Sequence, residues 1–327
     1  MFKNFVMSFV LSILIPGMLF SAIPEQSLVK TPPVTNETAP ILPQISVEVK
    51  PDPEEEPVYI PVLQKNGTVE QTELEYYVWG VVLGEMPASF EPEALKAQAV
   101  AARTYALRCM EDGVHPENAV CKEHSCCQSY CDPREYGGSK EYAQKVRLAV
   151  QQTRGMVVTY LQRPIFAAYF ASSGGCTEDA VAVWGRSFPY LKSVESMGES
   201  DKSYQNTVVT FTAGLFQQKL GGKIEGKPSQ WFGKVTYTAG GGVRTMMIGG
   251  ETYTGVQLRK LLGLRSTLFT VKVKGEQIVI TTNGYGHRVG MSQYGAQAMA
   301  LKGCDYQEIL MHYYQGVGIQ KYPLSGD

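Results

Sequence analysis

One glutamate stands out by its position in the run Gly84-Glu85-Met86-Pro87. It continues the apolar face of a predicted helix that starts near Leu74, and Gly84 and Pro87 predict that the helix ends there. A carboxyl group at such a place tends to be partly buried, and burial raises its pKa. A raised pKa suits a general acid that works near neutral pH. The alternative is a glutamate that caps a helix or lies exposed at its end.

The next helix offers a second group of polar side chains. Pro92 suits its first turn, and Ala94 to Arg108 contains neither glycine nor proline. Lys96 and Arg103 are seven residues apart, so they share a face of this helix. Together they are able to hold a carboxylate or sugar hydroxyls. Spacing alone favours the simpler interpretation, which is a solvated helix face.

A loop rich in cysteine and histidine is a candidate metal site. Zinc takes four such ligands tetrahedrally, and a site with four protein ligands is structural because catalytic zinc keeps one position open. Local disulfides are the alternative, although seven cysteines cannot all pair within one chain. Six candidate ligands lie within seventeen residues, namely His115, Cys121, His124, Cys126, Cys127 and Cys131.

Two loops of small residues complete the candidate chemistry. Ser172 to Thr177 combines hydroxyls with glycines, so a ligand is able to approach its backbone, but it holds no G-x-S-x-G nucleophile motif. Gly284 to Gly295 places His287 among four glycines just before a helix. His287 is a candidate for orienting Glu85 or for binding sugar. A tight loop and a histidine that supports a turn are the respective alternatives.

The N-terminal sequence predicts that the folded domain lies outside the cytoplasm. Residues 5–23 are nearly all apolar and uncharged, which is long enough for a membrane helix, and Lys3 precedes them on the inner side. We predict a single-pass anchor at 1–23, a Pro-rich extracytoplasmic linker at 24–57 and a folded domain at 58–327. A cleaved signal peptide is the alternative for the first segment. Either way, the domain lies outside the cytoplasm.

The fold class follows from the order of patterns. A strand at 58–62, an Asn66-Gly67 hairpin turn, a helix over 139–152 and strands within 156–169 and 205–282 alternate without a steady βαβ rhythm. We therefore expect an α+β fold, with mixed helices and short antiparallel sheets around a substrate groove. A formal net charge of −1 does not indicate a nucleic-acid partner.

Several of these blocks resemble one known family. The segments Tyr77–Pro87 and Glu93–Tyr105 closely resemble the stage II sporulation protein D family. Three later blocks agree with it in the same order, namely 127–130, 172–175 and 286–295. The resemblance covers about 58–322.

This resemblance implies a lytic transglycosylase, a carbon–oxygen lyase that acts on peptidoglycan during engulfment in endospore formation. It cuts glycan strands, expected to be stripped of stem peptides, between N-acetylmuramic acid and N-acetylglucosamine. The product carries a 1,6-anhydro end instead of an added water. A zinc-dependent wall amidase and a non-catalytic peptidoglycan-binding module are the rival functions.

The resemblance also implies roles for individual residues. Glu85 matches the family's essential glutamate, and the expected groove lining is Lys96, Arg103, Gln128, Tyr130, Ser172, Ser173 and His287. Arg288 stands where the family usually has a small glycine, so we expect it to narrow or charge the rim.

Some clostridial members are similar in having a zinc site near the groove. The ligands expected here are His115, Cys121, Cys126 and Cys127, with His124 competing for the role of Cys126. This would be at most one structural zinc ion, with none required for the chemistry. By the same resemblance, the protein partners would be a membrane-bound wall amidase and a third membrane protein of the engulfment machinery.

Overall fold

The computed structural model describes residues 56–196, 198–199, 204–222 and 224–322. The predicted anchor and nearly all of the predicted linker lie outside these residues. Within the described ranges, no helix is both long and apolar enough to cross a bilayer.

A hairpin and two helices open the fold. Strands β1 (Tyr59–Leu63) and β2 (Val69–Glu73) pair antiparallel, and the predicted Asn66-Gly67 turn joins them. Helix α1 (Leu74–Glu85) follows at once, and its apolar face is buried as its spacing predicts. Helix α2 (Pro92–Glu111) begins with a proline at its first turn. Together they form the centre of the larger hydrophobic core.

Several polar residues near the middle of α2 are not solvated. Gln98 and Arg103 are fully buried along with the alanines of the helix, so the simpler interpretation of this face is wrong. The helix is surrounded because alanine side chains let several neighbouring elements approach closely. Buried polar groups then need partners within the protein.

The middle of the chain wraps this centre. Strand β3 (Val120–Cys121) runs parallel to β1 and holds the Cys/His loop against the hairpin. Helix α3 (Lys140–Gln152) begins at Ser139, whose side chain accepts the Tyr142 N–H. Three strands and a short helix follow: β4 (Met156–Tyr160), β5 (Arg163–Pro164), β6 (Tyr169–Phe170) and α4 (Ala180–Trp184). Pro164 lies in β5, directly after the turn at 161–162.

A second hydrophobic cluster occupies the region from 207 to 282. Two three-stranded antiparallel sheets pack with two capped helices around Phe216, Leu258 and Ile278. The elements are β7 (Thr207–Thr212), α5 (Ala213–Leu220), β8 (Phe232–Tyr237), β9 (Val243–Ile248), β10 (Glu251–Thr254), α6 (Gly255–Leu262), β11 (Phe269–Lys274) and β12 (Gln277–Thr282).

The last elements return to the larger core. They are β13 (Met291–Ser292), α7 (Gln293–Ala300), α8 (Tyr306–Tyr313) and β14 (Gly318–Lys321). Strand β14 pairs antiparallel with β4, while β13 pairs parallel with β6. The expected mixture of helices and small antiparallel sheets is therefore present, with eight α-helices among the described residues. The parallel pairs β1–β3 and β6–β13 were not expected. The second of these brings the glycine-rich loop beside Tyr169.

Candidate active site

Glu85 is the last residue of α1, and its side chain is half-buried. The helix ends because Met86 takes an extended conformation, which the following Pro87 favours. The backbone N–H of Ser129 donates to Glu85 Oε1 at 2.6 Å. Burial raises the pKa of Glu85 above its ordinary value, although this N–H, His124 and the Tyr169 hydroxyl each lower it. The carboxyl group therefore has the character that a general acid requires.

Two glycines of α1 allow the segment that carries Ser129 to come this close. A Cβ on Gly84 would lie 2.9 Å from the backbone nitrogen of Tyr130, and a Cβ on Gly80 would overlap the Tyr130 ring. The Gly80 carbonyl accepts the N–H of Cys131 at 3.0 Å. Because the two glycines are four residues apart, they share one face of the helix. That face is where the Ser129 segment packs.

Glu85 opens into a cavity of about 720 Å³. Aromatic side chains form a large part of its wall, including Tyr105, Phe166, Trp184 and Tyr285. Among the described residues that line the cavity, Glu85 is the only carboxylate. The volume falls within the range of small-molecule sites, and a mainly apolar wall with few polar groups is typical of such sites.

Tyr169 is the polar neighbour of Glu85 that sequence reasoning missed. It lines the same cavity, and its hydroxyl acts as a hydrogen-bonding partner that lowers the pKa of Glu85. Burial, and then the Glu85 charge, raise the pKa of Tyr169 itself well above its ordinary value, so it stays protonated. Nothing in the local pattern of β6 distinguishes Tyr169 from an ordinary strand residue. Its importance appears only once β6 lies beside α1 in space.

Gln128 stands behind Tyr169 and is almost fully buried. Its Nε2 donates to the Tyr169 hydroxyl at 2.9 Å and to the Ala102 carbonyl at 3.3 Å. The structure therefore places Gln128 one residue away from the cavity, where it orients Tyr169. The sequence had assigned it to the groove lining itself.

His287 lines the cavity together with Glu85. Its Nδ1 accepts the N–H of Val289 at 3.1 Å, so the neutral ring carries its proton on Nε2. Burial, with a smaller contribution from Arg259, lowers its pKa to about 4. The centre of the His287 ring lies 5.2 Å from the ring centre of Trp184 and 5.7 Å from that of Phe170. His287 is therefore neutral at pH 7 and fixes the wall of the cavity.

The other predicted groove residues are not among those that line this cavity. Lys96 pairs with Glu93 at 2.7 Å, one turn earlier on α2. Arg103 is fully buried, where it pairs with Glu75 of α1 and donates to the Met156 carbonyl. Both cations therefore have partners within the protein.

Ser172, Ser173 and Tyr130 also have other surroundings. Both serine hydroxyls donate to Glu199, at 2.5 and 2.6 Å. Tyr130 packs on α1 and lies under the Lys122 ammonium, 4.5 Å from its ring centre. It lines a separate cavity of about 600 Å³ on the side of the Cys/His loop.

The four expected metal ligands lie together, with their ligand atoms all within 4.8 Å of one another. Cys126 Sγ and Cys127 Sγ are 3.2 and 3.4 Å from His115 Nε2. Ligands of a tetrahedral zinc lie about 3.5 Å apart, so the spacing and the donor types fit this ion. His124 is not in the cluster and instead lines the cavity of Glu85. All seven cysteines have free thiols in the structure.

The expectation for Arg288 is wrong. Its side chain is fully buried, so it neither narrows nor charges the rim. Its φ of 66° lies in the left-handed region, which favours glycine over other residues. The guanidinium turns inward to Glu178, at 3.1 Å, and to three backbone carbonyls.

Comparison with known proteins identifies the family of the chain. A family model described as stage II sporulation protein matches residues 63–160. Stage II sporulation protein D of Bacillus subtilis (strain 168) is 44% identical over 275 residues, which cover 81% of this chain and 80% of that protein. The protein of the same name from Bacillus amyloliquefaciens is 42% identical over 284 residues, covering 83% and 81%.

A more distant relative is a protein named amidase enhancer from Bacillus subtilis (strain 168). It is 30% identical over 303 residues, which cover 74% of this chain and 40% of that protein. The two sporulation proteins have a higher identity to this chain than the amidase enhancer has, and they match it over most of their own length. The chain therefore belongs to the stage II sporulation protein D family.

Proposed function

We propose that this sporulation protein is a lytic transglycosylase. Its substrate would be peptidoglycan strands stripped of stem peptides, and it would cleave the bond between N-acetylmuramic acid and N-acetylglucosamine. One observation carries the proposal: a single carboxyl group with a raised pKa opens into an aromatic cavity that has no other described carboxylate. Aromatic faces suit sugar rings, and a lone acid/base suits a reaction that needs no second carboxylate.

Glu85 serves both steps of this reaction. In its protonated form it donates to the glycosidic oxygen, the bond to the anomeric carbon breaks, and that carbon gains oxocarbenium character. The Glu85 carboxylate then takes the proton of the muramic 6-hydroxyl, whose oxygen bonds to the anomeric carbon. The acid is restored and no water is consumed. Hydrolysis by two carboxylates would need a second group to activate water, whereas the attacking hydroxyl here belongs to the same sugar.

The product decides between this function and its rivals. Purified glycan strands incubated with the protein should yield fragments whose muramic ends are lighter by one water than hydrolysed ends, by mass spectrometry. An amidase would instead release stem peptides from intact peptidoglycan. A binding module would retain the strands without creating new ends. Reducing muramic ends, or no new ends at all, would contradict the proposal.

Tyr169→Phe should shift the pH profile of the reaction. The hydroxyl favours the charged form of Glu85, so its loss raises the pKa of Glu85 further. Glu85 then stays protonated to higher pH, so the alkaline limb of the kcat/KM profile should shift to higher pH. Tyr105→Phe removes a hydroxyl from the same cavity wall and is the matched control, with an unshifted profile. An unshifted limb in Tyr169→Phe would remove Tyr169 from this role.

We further propose that His115, Cys121, Cys126 and Cys127 hold one structural zinc ion. The ion would supply cross-links within the loop that carries Ser129. Because all four positions would come from the protein, none is left open for the chemistry of an amidase. The loop would keep the Ser129 N–H directed at Glu85.

Metal analysis tests this site. The purified protein should contain about one zinc per chain, and Cys127→Ser should lose it. The thermal midpoint should fall by several degrees, since each 1 kcal/mol of lost stability lowers it by roughly 2–4 °C in a domain of this size. Cys304→Ser, outside the cluster, should keep both metal and midpoint. If peptide mapping finds a disulfide among Cys121, Cys126 and Cys127, the metal site is refuted. If a chelator abolishes the activity while the fold stays intact, the amidase function is favoured.

The site of action is part of the same proposal. The expected single-pass anchor would hold the domain at the outer face of the cell membrane. One relative is named amidase enhancer, which supports joint action with a wall amidase, and a third membrane protein of the engulfment machinery is expected as well.

A further inference from the structure

A second hollow adjoins the cavity of Glu85. It has a volume of about 310 Å³, and two of its residues, Phe166 and Trp184, also line the main cavity. Its other lining residues are Asp112, Arg186 and Phe188. A linear polymer bound beside Glu85 is therefore able to extend across Trp184 into this hollow. We call Phe166, Trp184, Arg186 and Phe188 the Trp184 shelf.

The rings of the shelf form a fixed platform. Phe166 and Phe188 stack with their centres 5.7 Å apart, and Trp184 meets Phe166 edge-on, also at 5.7 Å. Trp184 remains 39% exposed, although its ring is large and apolar. It is the last residue of α4, which ends at Gly185 in the left-handed conformation. An aromatic face held rigid in this way attracts the C–H face of a sugar ring, since the face of the ring is electron-rich.

One cation on the shelf lacks an acidic partner. The Arg186 guanidinium lies 4.9 Å from the Phe188 ring centre, and no described carboxylate forms a salt bridge with it. Asp112 is the only acid among the described residues that line the hollow, and it pairs with Arg108 at 2.9 Å. A guanidinium presents a planar set of donors that matches a carboxylate. The shelf thus combines a surface for a sugar ring with a group for an anion.

We propose that the Trp184 shelf is a subsite for a sugar of the glycan strand beyond those seated at Glu85, and that this sugar carries a carboxylate. Muramic acid fits this description once its stem peptide is removed, because its lactyl carboxylate is then free. The inference rests on the proposed function for its choice of polymer. The two lining residues that the cavities share and the charge of Arg186 both favour the same strand as the occupant.

Binding measurements test the shelf without requiring turnover. All variants would carry Glu85→Gln, and the probes would be peptide-free glycan strands and uncharged chitin oligosaccharides of equal length. Trp184→Ala should weaken binding to both probes about tenfold, or 1.4 kcal/mol. Arg186→Gln should weaken binding to the muramic strands alone. Val181→Ala, an exposed position on the same helix, is the control and should bind both normally.

A second variant guards against a folding defect. Trp184→Phe keeps an aromatic face and should recover most of the lost affinity. If Trp184→Ala binds as the Val181 control does, the shelf is not a subsite. If Arg186→Gln weakens binding to both probes equally, the carboxylate assignment is wrong.

The two proposals fail in different ways. If the strands bind through Trp184 but the unmodified protein makes no anhydro ends, the proposed function fails and the shelf stands. If the unmodified protein and Trp184→Ala form anhydro ends on long strands with the same kcat/KM, the shelf proposal fails and the proposed function stands.

Discussion

Glu85→Gln should fold with an unchanged thermal midpoint yet form anhydro-muramic ends about 10²–10⁴ times more slowly, the usual contribution of a general acid or base. Glutamine has nearly the same shape, and its oxygen is able to accept the Ser129 N–H that now binds Glu85 at 2.6 Å. It neither gives nor takes the proton that the reaction moves. The measurement is the initial rate of product formation from purified glycan strands.

The control for this variant is a glutamate in the nearby Cys/His loop. The Glu123 side chain is about half exposed, and its carboxylate lies 3.8 Å from the Lys65 ammonium. Glu123→Gln should therefore keep the full rate and the full midpoint. Wild-type rates in Glu85→Gln would end the proposed mechanism, because the described residues offer no other acid in the cavity.

Arg288→Met should lower the free energy of unfolding by about 3–5 kcal/mol, as removal of one partner from a buried ion pair does. The guanidinium donates to the carbonyls of Ser173, Cys176 and Gly240, each at 2.7 Å. Its carboxylate partner, Glu178, is 1% exposed. Methionine would fill much of the space but would leave a buried charge and three carbonyls without these donors. Urea denaturation would measure the change.

Two further variants separate the ion pair from a general packing defect. Arg244 is exposed on β9, so Arg244→Met should change stability by no more than about 0.5 kcal/mol. Glu178→Gln combined with Arg288→Met should cost less than the sum of the two single changes, because the uncompensated charge is gone. Equal stability of the Arg288 and Arg244 variants would show that the buried pair contributes nothing.

Local patterns were enough to place Glu85. Helix α1 ends just before Pro87, where the sequence predicts, and the apolar spacing of α1 and α2 corresponds to buried faces. Local spacing also gathers the Cys/His cluster, because its members are close in the chain. Such features depend on neighbours within one or two turns or within one loop, so the sequence shows them directly.

Distant pairings were not visible in the same way. Tyr169 lines the cavity of Glu85 although it is far from Glu85 in the chain, and β13, which pairs with β6, is more than a hundred residues later still. The polar face of α2 was read as solvated because its spacing does not reveal that α1 covers Arg103 with Glu75. Residues that share a helix face can therefore be grouped correctly and still be given the wrong surroundings.

The pairing of Arg103 with Glu75 has a consequence for genetic studies of this protein. Glu75 is at the start of α1 and Glu85 is at its end, so ten residues, or about 15 Å of rigid helix, separate them. A shift of the first turn is transmitted along the rod to the last. Under the proposed function, a substitution at Arg103 would therefore slow the reaction without removing a substrate contact, and a screen that scored only lost activity would count Arg103 as such a contact.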